Sequence, residues 1–140
     1  MPERLRAVEE AAQAGWKAMS GGGSAVNAVE AAVLVLEDNP LFNAGVGPAL
    51  NSEGCIETDA AIIDGSSLNA GAVAAVTGIG NPIHLARRVM EVGPAVLLVA
   101  KGAEQFARSQ GIPTWDSRRS PSSGVMPTCA ITADGVVTSY

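Results

Sequence analysis

Two carboxylates, Glu57 and Asp59, alternate within a short apolar segment, so on an extended strand they project from one face about 7 Å apart. Carboxylates at that separation can divide acid and base work, and the same pattern also describes the solvated face of a half-exposed strand. Glu37 closes a run of apolar helical residues, immediately before Asp38-Asn39-Pro40-Leu41-Phe42-Asn43-Ala44-Gly45. A negative charge at a helix C-terminus is unfavourable by roughly a few tenths of a kcal/mol. It either invites a compensating cation, held by the carboxylate and by loop carbonyls, or points into water. His84 is the single imidazole of the chain, so any Ser-His-Asp or Cys-His site would have to use it. It sits in a helical stretch among ordinary surface residues, and the general base of an enzyme here is therefore expected not to be a histidine.

Other patterns are excluded by their context. Gly21-Gly22-Gly23-Ser24 opens a helix but follows another helix and lacks a P-loop lysine, so a structural turn is expected. Neither Gly45-Val46-Gly47 nor Gly78-Ile79-Gly80 reaches the third glycine of a dinucleotide fingerprint. With one histidine and two cysteines, Cys55 and Cys129, that lack Cys-x-x-Cys spacing, a zinc cage is excluded and reduced thiols are expected. The net charge of −5 argues against nucleic acid as a partner. No apolar run approaches the ~20 residues of a membrane span, and no secretory signal is recognisable, so no membrane partner and a cytoplasmic location are expected.

These residues need elements to place them. In the 140 residues, 47% hydrophobic but only 4% aromatic, the core must come from Ala, Val, Leu and Ile in an α/β domain. Leu5, Val8, Ala12, Trp16 and Met19 recur at helical spacing over residues 3–19, which predicts a helix with that stripe facing the core. Ser24 is the expected N-cap of a second helix over 25–37, stopped by Asn39-Pro40 and packed on the first as a hairpin. Strands are expected over 56–63 and 70–77, joined by Asp64-Gly65 as an antiparallel hairpin of small residues that lets another layer approach closely. Asn81-Pro82 starts a helix as cap and first position, 95–100 reads as a core strand, and 102–110 as a helix closed by Gly111. A polar linker follows over 113–126, and 127–140 reads as one more hairpin around Asp134-Gly135.

Taken together, these words resemble the plant-type asparaginase and isoaspartyl peptidase family of N-terminal-nucleophile hydrolases. The resemblance rests on Gly22-Gly23-Ser24-Ala25-Val26-Asn27-Ala28-Val29-Glu30-Ala31-Ala32-Val33, on Leu36-Glu37 through Gly45, and on Glu57-Thr58-Asp59-Ala60 with Ile63-Asp64-Gly65. It continues through Ala70-Gly71-Ala72-Val73-Ala74, Asn81-Pro82-Ile83 with Ala86-Arg87 and Val89-Met90-Glu91, and Gly102-Ala103-Glu104 with Phe106-Ala107. It runs in order from Leu5 to Ile112.

The resemblance implies a partial αββα sandwich lacking part of both sheets, with residues 1–112 as its α-subunit-like part. It also implies a precursor that cleaves itself before a threonine. The new N-terminal threonine attacks an asparagine side-chain amide or an isoaspartyl dipeptide, with its own α-amino group, of pKa about 8, as base. Carried over by position, a structural sodium would be held by Leu36, Glu37, Asn39, Phe42, Ala44 and Val46, mostly through carbonyls, and Asn43 would orient the nucleophile.

The partners so implied are a small amino-acid or dipeptide substrate and either a second copy or a complementary β-subunit-like chain. The family word His-Gly-Gly-Ala-Gly precedes the first helix elsewhere, and this chain starts after it. If Asp134-Gly135 is the turn after the nucleophile strand, Val125 falls in the threonine slot and Thr128 is the nearest substitute. The expectation is a truncated or degenerate member that is inactive alone, or a non-enzymatic scaffold derived from the fold.

Overall fold

Residues 2–52 and 55–114 are described in a computed structural model of the chain. The element order is α1 (Pro2–Ser20), α2 (Ala25–Glu37), β1 (Thr58–Ile63), β2 (Ala70–Val76), α3 (Pro82–Val92), β3 (Leu97–Val99) and α4 (Ala100–Ser109). Among the described residues there is one mixed sheet, ordered β1-β2-β3, rather than the two of a full sandwich. The linker beyond Thr114 and the expected hairpin over 127–140, including Thr128, lie outside the described residues.

α1 and α2 pack on each other as their short glycine turn predicts, and Ser24 caps α2 by accepting the Asn27 amide. The buried side of α1 is not the expected stripe. Ala7, Ala11 and Gly15 are buried, whereas Leu5, Val8, Trp16 and Met19 are exposed, Trp16 by 68%. Small residues let the two helix backbones approach closely, and the larger apolar residues are left on the adjacent, uncovered side.

β1 and β2 form the expected antiparallel hairpin, with Ala61 opposite Ala72 and Ile63 opposite Ala70. The register slips between Thr58 and Ala60, a bulge at which Ala75 takes φ +50°. β3 joins β2 in parallel, Ala72 facing Leu97 and Ala74 facing Val99. It covers only the last part of the segment expected as a core strand, and Leu97 and Val99 are exposed rather than buried.

Period-two alternation divides the sheet into two faces. Inward, Ile62, Val73 and Val76 meet Ile83, Leu85, Ala86 and Val89 of α3 and Ala103 and Ala107 of α4 to form the core. The approach is close because β2 carries Gly71, where a Cβ would stand 2.2 Å from the Ala86 carbonyl oxygen. Outward, Ala61, Ile63, Leu97 and Val99 form an apolar surface that no described element covers. The Glu104 carboxylate accepts the Thr77 amide and hydroxyl, fastening α4 to the end of β2. Cys55 is disulfide-bonded, which corrects the expected reduced thiol at that position, and Cys129 lies outside the described residues.

Candidate functional site

The densest chemistry follows the last turn of α2. Leu36, Asn39, Phe42, Ala44 and Val46 are half-buried and Glu37 is buried, all within one tightly folded loop. The Val46 amide donates to the Glu37 carbonyl at 2.9 Å, the Phe42 amide to the Asn39 carbonyl at 3.2 Å, and the Gly47 amide to the Ala44 carbonyl at 3.0 Å. Gly45 has φ +54°, and a Cβ there would lie 2.2 Å from the Glu37 carbonyl oxygen. Only glycine combines that conformation with so close an approach. Backbone carbonyls are thus packed inside a small volume, each bonded one keeping a second lone pair.

The Glu37 carboxylate resolves the question raised at the helix terminus in a way the sequence does not suggest. It is 2% exposed, so it does not point into water. Its Oε1 accepts the Ile83 amide at 3.0 Å and its Oε2 accepts Asn81 Nδ2 at 3.3 Å. The compensating positive end is therefore the N-terminus of α3, where unpaired amides and the helix dipole favour a carboxylate. Asn81, expected as the cap of α3, makes no side-chain cap bond to that helix. Its amide bridges Glu37 and Asp38 instead, with Asp38 Oδ1 at 2.9 Å. Burial raises the Glu37 pKa to about 7, against the lowering effect of the Ile83 and Asn81 hydrogen bonds.

Beside the loop lies a cleft of about 320 Å³ lined by Asn43, Ala44, Pro48, Ala49, Glu57, Thr58 and Asp59. Asn43 Oδ1 accepts the Ala49 amide at 2.7 Å, which fixes the side-chain amide and leaves its Nδ2–H donors for a ligand. Glu57 and Asp59 line the same cleft, and one of the two carboxylates already has a structural partner. Asp59 Oδ1 accepts the amide of the left-handed Ala75 at 2.7 Å and holds the bulge, while the buried Thr58 hydroxyl donates to the Val76 carbonyl. The structure brings Asn43 together with the loop residues 36–46 and places Thr128 outside what is described.

His84 pairs with a carboxylate of α2. Its Nδ1 is 2.6 Å from Glu30 Oε1, and Glu30 also accepts a bond from Arg87. Glu30 was missed as a structural residue in the sequence, although it and Glu37 are the two charged residues of α2, seven positions apart and hence on one face. No group of three or more His, Cys, Asp or Glu side chains suited to a metal occurs among the described residues. A cation at the loop would depend on carbonyl oxygens.

The sequence model of the Asparaginase family matches residues 2–124. A plant-type L-asparaginase from Pyrococcus abyssi is 53% identical over 116 residues, which are 83% of this chain and 38% of that protein. An isoaspartyl peptidase/L-asparaginase from Mus musculus is 56% identical over 106 residues, 76% of this chain and 32% of that protein. One of the same name from Bos taurus is 53% identical over 113 residues, 80% of this chain and 37% of that protein. The chain thus spans less than two fifths of the length of these relatives.

Proposed function

Because this chain belongs to the asparaginase family, we propose that it supplies part of an amidohydrolase site acting on the side-chain amide of L-asparagine or on isoaspartyl dipeptides. The observation that carries this reading is the cleft that joins Asn43, with its amide donors, to the carbonyl-rich loop over 36–46. In the proposed reaction a threonine hydroxyl attacks the amide carbonyl while its own α-amino group takes the proton and passes it to the leaving nitrogen; the C–N bond breaks, ammonia or the amine departs, and water then hydrolyses the acyl-threonine ester, a route that needs no imidazole. Asn43 orients that threonine. That threonine belongs to the complementary β-subunit-like chain, whose amino terminus is created by self-cleavage of its precursor, and residues 1–112 act as the α-subunit-like part.

The loop fits a hard, oxygen-seeking monovalent ion such as sodium. The carbonyls of Glu37, Pro40 and Phe42 crowd against Gly45 and Gly47, and the chemistry of the donor set is that of neutral oxygens. Leu36, Glu37, Asn39, Phe42, Ala44 and Val46 would hold the ion, whose contribution would be to stiffen the loop that carries Asn43. The uncovered apolar face of the sheet supports an αββα sandwich, in which a second sheet would lie on Ala61, Ile63, Leu97 and Val99. A cytoplasmic setting and a complementary β-subunit-like chain, or a homo-oligomer, belong to the same reading. Helices offer no membrane span: none of the described ones is long and apolar enough.

If Asp134-Gly135 is the turn after the nucleophile strand, Val125 falls in the nucleophile slot, and on that alignment the 140-residue chain is proposed to be inactive alone. The test is release of ammonia and aspartate from L-asparagine, and of aspartate and the second amino acid from an isoaspartyl dipeptide, with the chain alone and with a β-subunit-like chain of a relative added. Turnover only in the mixture is expected. Turnover by the chain alone overturns the inactivity, and none in either arm overturns the amidohydrolase reading. The same open face favours a second reading, a non-enzymatic scaffold that associates through its sheet. Sedimentation at micromolar concentration separates them, since a lasting monomer contradicts the scaffold.

A further inference from the structure

α2 touches α3 through two carboxylates on one face. Glu37 grips the N-terminus of α3. Glu30, seven residues earlier and thus about 10 Å back along the helix, is 8% exposed and meets His84 and Arg87 in the following turn of α3. Arg87 is held in place from its other side by Glu91, 2.9 Å from Nε, and these two carboxylates keep the guanidinium charged by pushing its pKa up. Val26, Val33 and Leu34 of α2 also pack against the core, but apolar contacts have no preferred direction. A second grip one lever arm away fixes the angle.

We infer that Glu30, clamped by His84 and Arg87, is a positioning residue for the loop over 38–47. α2 runs straight into that loop, so the angle of α2 on α3 decides where Asn43 and the stacked carbonyls are delivered beside β1. The inference rests on the reading of this loop as part of the site. It assigns a role to the one histidine of the chain that is neither catalytic nor incidental: with Arg87, it is half of a brace. No apolar side chain at this position could bond both a ring nitrogen and a guanidinium on the neighbouring helix and so fix one geometry.

The test is amide hydrogen exchange by NMR on the full 140-residue chain. The Val46 and Gly47 amides, bonded to the Glu37 and Ala44 carbonyls, report the loop, and the Ala72 amide, bonded to the Val96 carbonyl, reports the sheet. Glu30→Gln and, separately, Arg87→Ala are expected to speed exchange of the loop amides about tenfold or more while leaving Ala72 within about twofold, because local opening is governed by local contacts. Arg87→Lys, which still presents a cation to Glu30, is expected to keep most of the protection. Loop amides unchanged in both Glu30→Gln and Arg87→Ala overturn the inference. So does an Ala72 amide that accelerates in step, since that would mean a general loss of stability. Ammonia release plays no part in this readout, so failure of the amidohydrolase reading and failure of the brace are separately visible.

Discussion

The junction of α2 with α3 and the outer face of the sheet are opposites. At the junction, two glutamates are buried at 2% and 8% exposure, and each finds its partners inside the described chain. On the outer face, Ile63, Leu97 and Val99 stand 62%, 51% and 49% exposed, with alanines between them. Charge is inside and hydrocarbon outside, the reverse of the usual partition. The difference teaches which surface is finished. A buried polar cluster with every group satisfied is complete as it stands, whereas an apolar sheet face is complete only when something lies on it.

Perturbing each side should give unequal results. Gly45→Ala should cost the most, about 3 kcal/mol or more, because a left-handed conformation and a Cβ 2.2 Å from the Glu37 carbonyl oxygen penalise it together. Urea denaturation measures this, and a loss under 1 kcal/mol would mean that the loop is not the tight element described.

The next effect is in pH. The folded-state pKa of Glu37, about 7, lies above its ordinary value of 4.5, so its contribution to stability is fully present below pH 4.5 and is lost as pH rises through 7. In sodium-free buffer the chain should therefore lose up to about 3 kcal/mol from this group between pH 4.5 and 8. Glu37→Gln should flatten that part of the profile, and an unchanged profile would remove Glu37 as its source. On the outer face, Ile63→Lys should change the stability of the monomer by no more than about 0.5 kcal/mol. It should also abolish any concentration-dependent association seen by sedimentation. Glu91→Ala, at the exposed end of the Arg87 pair, should cost least, about 0.3–0.5 kcal/mol in thermal or urea unfolding.

Local signals in the sequence were sufficient for what local physics decides. Ser24 caps α2, Asp64 starts the 64–69 turn of the β1–β2 hairpin by accepting bonds from Ser66 and Ser67, and Pro82 opens α3, because each of these depends on neighbours within a few residues. The closely approaching layer on β2 was also legible, in its run of glycine and alanine. The side of α1 that packs was not. Periodicity marks the large apolar residues as the inward stripe, but helix pairs can settle instead on the small ones, and α1 does so with Ala7, Ala11 and Gly15. The partners of Glu37 and Glu30 lie more than forty residues downstream, at Asn81, Ile83, His84 and Arg87, and no spacing rule links positions that far apart. The candidate site was legible as a loop by its words, and its cleft with Glu57, Thr58 and Asp59 became visible only with the register of β1.

The unburied stripe of α1 has a practical corollary. Trp16 presents its indole to water among Leu5, Val8 and Met19. An indole so placed emits at long wavelength and is open to collisional quenchers, and both properties change when a hydrocarbon surface closes over it. With the chain's second tryptophan replaced, as in Trp115→Phe, the helix carries its own optical gauge of contact, so that a partner arriving on this side would announce itself by a blue shift and by protection from iodide, with no label added.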